Sequence, residues 1–214
     1  MDIAWRVLPA LIEASGITLK LFGITLLFSL PLGLLVGLGS TLSFKPLKAI
    51  IGGYIWIIRG TPLLLQMFFI FYGLPLFSEI RFERLDAAIL AFVINYTAYY
   101  AEIFRGGIEA IGNGQYEGAK VLGLTNFQTI RKIIIPQVLK IVLPSVGNEV
   151  ITLVKDTSLV YAVGLSDIMR TGQIALQREV SIIPLIVVAL IYLVLTGIVT
   201  IILKFIERKY SYYK

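Results

Sequence analysis

Between residues 145 and 156 four polar side chains recur at helical spacing within an apolar run: Ser145, Glu149, Thr152 and Asp156, set four, three and four residues apart. At 3.6 residues per turn they stay within roughly 60° of one another on one helix face, while Asn148 and Lys155 lie off that line. A second stripe, Ala88, Ala91, Asn95, Tyr99, Glu102 and Gly106, alternates small with polar residues. Two such faces opposed to each other can enclose a water-filled cavity. Glu149 has no basic residue at i±3 or i±4, so its carboxylate is free to meet a cation from outside the helix. We take Glu149, Asp156, Thr152, Asn95 and Gln66 as candidate substrate-binding residues. The chemistry is binding and passage, not bond making. The chain has no Cys and no His, so thiol catalysis, disulfides and the usual zinc sites are excluded, and no metal site is expected. No Gly-x-x-x-x-Gly-Lys-Ser/Thr run is present to cradle a triphosphate, so no nucleotide cofactor is expected in this chain.

Each polar residue also has a plainer reading. Glu102 precedes Arg105 by three residues, an ordinary helical ion-pair spacing. Asp156 adjoins Lys155 and can cap the end of its helix, and the amides Asn95 and Gln66 can bond neighbouring helices. Arg59 lies deep in an apolar stretch just before Pro62, which should kink the helix. Its role is left open between anchoring that kink, pairing with an acid and lying at an interface.

The elements that hold these residues are membrane spans. Of 214 residues, 57% are hydrophobic and 15% charged, and mean hydropathy is +0.88, more apolar surface than a water-soluble domain of this size can bury. Apolar stretches of hydrocarbon length fall at about 17–42, 47–77, 85–108, 133–154 and 181–206. The expected fold is therefore all-α, five transmembrane helices in one domain covering 1–214. Residues 1–16, with Asp2, Glu13 and no small-residue cleavage site, read as an interfacial amphipathic segment anchored by Trp5, not as a removable signal. The glycine pairs Gly33/Gly37, Gly52/Gly53 and Gly106/Gly107 read as sites of close helix packing, the first of them within the chain or against a second chain. Lys45 and Lys48 follow the first span without an acid, and Lys204, Arg208, Lys209 and Lys214 crowd the C-terminal end against Glu207. This places the N-terminus outside and the C-terminus in the cytoplasm. The same asymmetry explains the net charge of +6 without nucleic acid.

Between spans three and four, at about 109–132, lies a polar stretch kept in water. Asn113 is expected to cap a first short helix, Gly123 to end it in the left-handed region, and Thr125 with Gln128 to form a capping box for a second. A helix-turn-helix tethered this closely by membrane spans suits docking of a protein and not of DNA. An ordinary loop is the plainer reading.

Glu117, Ala119, Gly123, Ile133, Ile135 and Pro136 have the spacing of the coupling loop in permease subunits of ABC importers, with Gly118 where the family usually has alanine and Ile135 where it has leucine. Arg59-Gly60-Thr61-Pro62 followed by Leu63 to Gln66, Ala101-Glu102-Ile103-Phe104-Arg105-Gly106-Gly107, and Lys155-Asp156-Thr157-Ser158-Leu159 resemble the polar amino acid uptake branch of that family. The resemblance implies that Glu117, Gly118, Ala119 and Gly123 dock onto a separate ATPase subunit, which binds ATP and magnesium. It also implies a second permease chain, identical or a sister, an extracytoplasmic amino acid binding protein and residence in the cell membrane. The chain itself would then be a transport subunit and not an enzyme. The acids favour a basic amino acid such as arginine, lysine or histidine; glutamine or glutamate is the alternative. An ion-coupled carrier fits less well, since no paired repeats are visible and the docking loop would have no task. A membrane enzyme is weaker still.

Overall fold

The computed structural model describes residues 2–210, and every regular element among them is helical. The order is α1 (Asp2–Ser40), α2 (Lys45–Gly60), α3 (Leu63–Phe68), a π turn (Phe69–Gly73), α4 (Leu74–Phe77), α5 (Arg84–Glu109), α6 (Asn113–Val121), α7 (Asn126–Thr129), a π turn (Ile130–Ile134), α8 (Ile135–Asp156), a 3-10 turn (Thr157–Val163), α9 (Ile168–Glu179) and α10 (Ile183–Tyr210). Four continuous helices are long and apolar enough to cross a membrane, and the pair formed by α2 and residues 63–77 adds a fifth candidate bent by 104°. The second span is thus broken rather than merely kinked.

Prolines set these irregularities. Pro62 disfavours helical backbone at the preceding residue, and Thr61 is extended at φ −120°, ψ 145°. The two π turns each lead into a proline, Pro75 and Pro136. A proline has no N–H for the carbonyl four residues back and its ring crowds that carbonyl, so the turn widens before Phe71 and before Lys132 can close ordinary α bonds.

α5 is the centre of the bundle: 61% of its most apolar stretch is buried, against 6% for α10, which stands largely exposed at the edge of the chain. α1 lies along α5 through Leu21, Thr25, Ser29, Gly33, Gly37 and Ser40, one face of mostly small residues. A methyl group at Gly33 would overlap Tyr100 Cβ, and one at Gly37 would sit 2.9 Å from Ala101 O. The Gly-x-x-x-Gly pair therefore serves contact within the chain. Gly107 likewise packs on Val142 of α8, while Gly52, Gly53 and Gly106 have open space around them and are not packing sites here.

Met1 of the expected interfacial segment lies outside the described residues, and residues 2–16 are not a separate segment. They form the start of α1 without a break, and Val7 and Leu11 pack in a second core with Ile168 and Ala175 of α9 and Val187 and Val188 of α10. Arg6 pairs with Glu179 at 2.7 Å, tying the start of α1 to the end of α9.

Overpacking a tight contact costs about 1–3 kcal/mol. Gly33→Val should accordingly lower the thermal unfolding temperature of the purified protein. Gly23→Val, where nothing lies within 4 Å, should leave it nearly unchanged. Equal melting of the two variants would show that the α1–α5 contact is loose.

Candidate functional site

The site begins at the break in the second span. A helix end inside a bilayer strands carbonyls that water cannot reach, and at the end of α2 side chains take over. Thr61 Oγ1 donates to Ile57 O at 2.9 Å, and Gln66 Nε2 donates to Ile58 O at 2.7 Å and to Thr61 O at 3.1 Å. The Gln66 carbonyl then accepts from Asn95 Nδ2 of α5 at 3.0 Å. These two candidate residues are thus brought together, with their amides engaged in holding the break against α5.

Arg59, at the end of α2, stands 5.3 Å over the Tyr99 ring and 3.6 Å from Glu102. Glu102 itself is held by Arg105, at 2.9 Å from Nε and 2.6 Å from Nη2, and Arg105 also reaches Glu109 at 2.6 Å. The i, i+3 pair expected from the spacing is present. Glu102 and Gly106 of one stripe and Ser145 of the other do line a common cavity of about 330 Å³ between α5 and α8.

On α8, Asp156 does not cap the helix end with its side chain. Its carboxylate instead accepts from the buried Tyr96 hydroxyl at 2.8 Å. Thr152 spends its hydroxyl on Asn148 O at 3.0 Å. Glu149 is half-buried and makes no hydrogen bond or ion pair among the described residues, although the charges of Asp156 and Arg59 both act on it. Sequence reasoning passed over Tyr96, whose buried hydroxyl meets Asp156, and Tyr100, whose buried hydroxyl has no partner among the described residues. Tyr96 adjoins Asn95 of the stripe, which was the available signal. Asp167 was also missed. Fully buried ahead of α9, it accepts from Met169 N and Arg170 N at 3.0 Å each, and burial raises its carboxyl above the usual range against the pull of those bonds.

The polar turn is built nearly as expected. Gly123 has φ +71°, and the pair Gly123 N to Lys120 O and Leu124 N to Ala119 O, both 3.0 Å, forms a Schellman stop for α6. Thr125 and Gln128 make the reciprocal capping box. Two expectations are corrected. The residue capping α6 is Gly112, extended at ψ 146°, and Asn113 is already helical. The second helix is not a separate short one, because α7 runs through the π turn into α8 as a single rod. Gln137 of α8 donates to Gln115 of α6 at 3.1 Å, linking the two helices at the surface. Glu117, Gly118 and Gly123 are exposed, and Ala119, 4% exposed, packs α6 against its own chain. Beside them Val121, Leu122 and Phe127 are each more than two-thirds exposed, an apolar tip on a polar turn that sequence reading did not single out.

Residues 29–212 match the family described as binding-protein-dependent transport system inner membrane component. The arginine transport system permease protein ArtQ of Bacillus subtilis (strain 168) is 37% identical over 94% of this chain and 93% of its own length. The glutamine transport system permease protein GlnP of Escherichia coli (strain K12) is 35% identical over 96% and 94%. The crystal structure of an amino acid ABC transporter with histidines contains a chain similar at a TM-score of 0.86 and 36% identity, covering 95% of both chains.

Removing Gln66 alone leaves the buried Asn95 amide and two helix-end carbonyls unmet, at a cost of about 1–3 kcal/mol per orphaned group. Gln66→Leu should therefore lower the thermal unfolding temperature sharply, and Gln66→Leu/Asn95→Leu should recover part of the loss. Simple additivity of the single variants would show that the two amides are not coupled.

Proposed function

The chain belongs to the family of binding-protein-dependent transport system inner membrane components, and from that premise we propose that it forms half of the translocation path of an ATP-driven importer for polar amino acids, basic ones foremost. It is a multi-pass component of the cytoplasmic membrane and assembles with ATPase subunits, which carry out the hydrolysis. A second permease chain completes the path, and an extracytoplasmic binding protein delivers the substrate.

One observation carries the preference for basic substrates. Glu149 is a half-buried carboxylate on α8 with no hydrogen bond or ion pair among the described residues. A charge left like this within an apolar span is costly, and a cationic side chain arriving from outside compensates it. Asp156 and Thr152 share its face, one held by Tyr96 and the other turned to its own helix, while Gln66 and Asn95 hold the break in the second span through their shared bond. The second reading, a glutamine or glutamate permease, is favoured by the near-equal identity to arginine and glutamine permeases.

With the N-terminus outside and the C-terminus in the cytoplasm, as the lysines at 45 and 48 and the basic C-terminal end suggest, α6 projects into the cytoplasm. Glu117, Gly118 and Gly123, with the apolar tip of Val121, Leu122 and Phe127, form the surface offered to the ATPase, and Ala119 seats that surface on the bundle. Because α7 and α8 are one rod, movement at this surface reaches the acids directly.

Glu149→Gln keeps the shape and removes the charge. Loss of a desolvated charge-assisted bond is worth about 1.5–3 kcal/mol, so uptake of labelled arginine by reconstituted complex should weaken roughly 10-fold or more, with little change for glutamine. Unchanged arginine uptake would turn the assignment to glutamine or glutamate. For the docking turn, a β-branched residue in the left-handed region costs about 1–2 kcal/mol. Gly123→Val should lower substrate-stimulated ATPase activity with membrane insertion intact; full stimulation would end the docking role.

A further inference from the structure

We propose that Arg59 receives the α-carboxylate of the transported amino acid. The assignment rests on the amino-acid reading above and extends it to the group that every such substrate shares.

An α-amino acid carries a carboxylate whatever its side chain. Within an apolar bundle that carboxylate is as costly to hold as an ammonium group unless a donor meets it. Glu149 and Asp156 would repel it. Among the described residues Arg59, Arg105 and Lys155 act on Glu102, Glu149 or Asp156, and the last two are otherwise disposed. Arg105 gives Nε and Nη2 to Glu102 and Nη1 to Glu109. Lys155 lines a different cavity, with Ser158, Met169 and Tyr192, on the side of α9 and α10.

Arg59 differs from both. Its contact with Glu102 is 3.6 Å, longer than a hydrogen bond. None of its N–H groups makes a hydrogen bond to a described residue, and its side chain is 39% exposed. Tyr99 lies 5.3 Å from the guanidinium carbon, and an aromatic face steadies a guanidinium without consuming its donors. The fork of those donors matches a carboxylate bidentately. The mount is firm as well, since the backbone just after Arg59 is the break that Gln66 ties to Asn95. Arg59 and Glu149 carry opposite charges that act on each other, which suits the two ends of a basic amino acid, its carboxylate at Arg59 and its cationic side chain towards Glu149. Glu102, already satisfied by Arg105, releases Arg59 at little cost.

The test is a cycle between residue and ligand group. Purified permease–ATPase complex, without binding protein, is titrated calorimetrically with L-arginine and with agmatine, which is arginine lacking its carboxylate. L-glutamine and 4-aminobutanamide form a second such pair. Arg59→Gln should weaken the L-amino acid roughly 10-fold or more and leave the decarboxylated analogue within about twofold, which also shows that the variant is folded. Arg59→Lys, keeping the charge but not the fork, should fall between. Equal weakening of amino acid and analogue, or no weakening of either, overturns the assignment. If wild-type complex binds neither amino acid, the amino-acid reading itself fails and this one with it. If Glu149→Gln leaves arginine binding intact while Arg59→Gln still discriminates against the carboxylate, the preference for basic substrates fails and the role of Arg59 stands.

Discussion

A broken helix releases carbonyl groups, and in hydrocarbon there is no water to take them. That constraint, at Thr61–Pro62, organises the rest of the molecule. Gln66 answers it by folding its amide back onto Ile58 and Thr61, which leaves the amide carbonyl facing α5 and requires a donor there. Asn95 is that donor. The break is therefore pinned to the central helix, and Arg59 is carried with it to a place beside Tyr99 and Glu102. Without Pro62, α2 would have no reason to stop and Arg59 would face some other neighbour.

The central helix has to serve several neighbours at once, and its faces divide the work. Against α1 it can come close because α1 offers glycine and small hydroxyl residues along one line. Against α8 it offers Gly107 to Val142, and farther along it sends the Tyr96 hydroxyl to Asp156. Dispersion over such close contacts takes the place of the water-driven term that lipid does not supply. The polar groups are then arranged on a rigid rod, a condition for holding a charged solute at fixed geometry.

Local codes were legible in the sequence, and long-range ones were not. Gly123, Thr125 and Gln128 act on backbone within five residues, so their spacing alone told their roles. The spans were legible because the bilayer fixes their length. Asn113 was mistaken for a cap because Asn outranks Gly in that position, whereas the chain makes its extended turn one residue earlier, at Gly112. The first sixteen residues looked interfacial because the partners that bury Val7 and Leu11 lie beyond residue 167. Gln66 and Asn95 were read as alternatives, ligand or glue, and their bond joins residues 29 apart, which no local pattern encodes. Tyr96 reaches an acid 60 residues away.

The π turn at Ile130–Ile134 bears on how such chains tolerate changes in length. A π turn is an α-helix holding one surplus residue in a single widened turn. Deleting one residue there would restore ordinary α geometry and leave the downstream phase of α8 untouched, so Glu149, Thr152 and Asp156 would keep their azimuth. The same deletion between Pro136 and Glu149 would swing them by roughly 100° about the axis and aim the carboxylates into the bundle wall. Insertions and deletions in this helix should therefore collect within one short window just ahead of Pro136, and an alignment that places them elsewhere would misassign the face of every residue beyond.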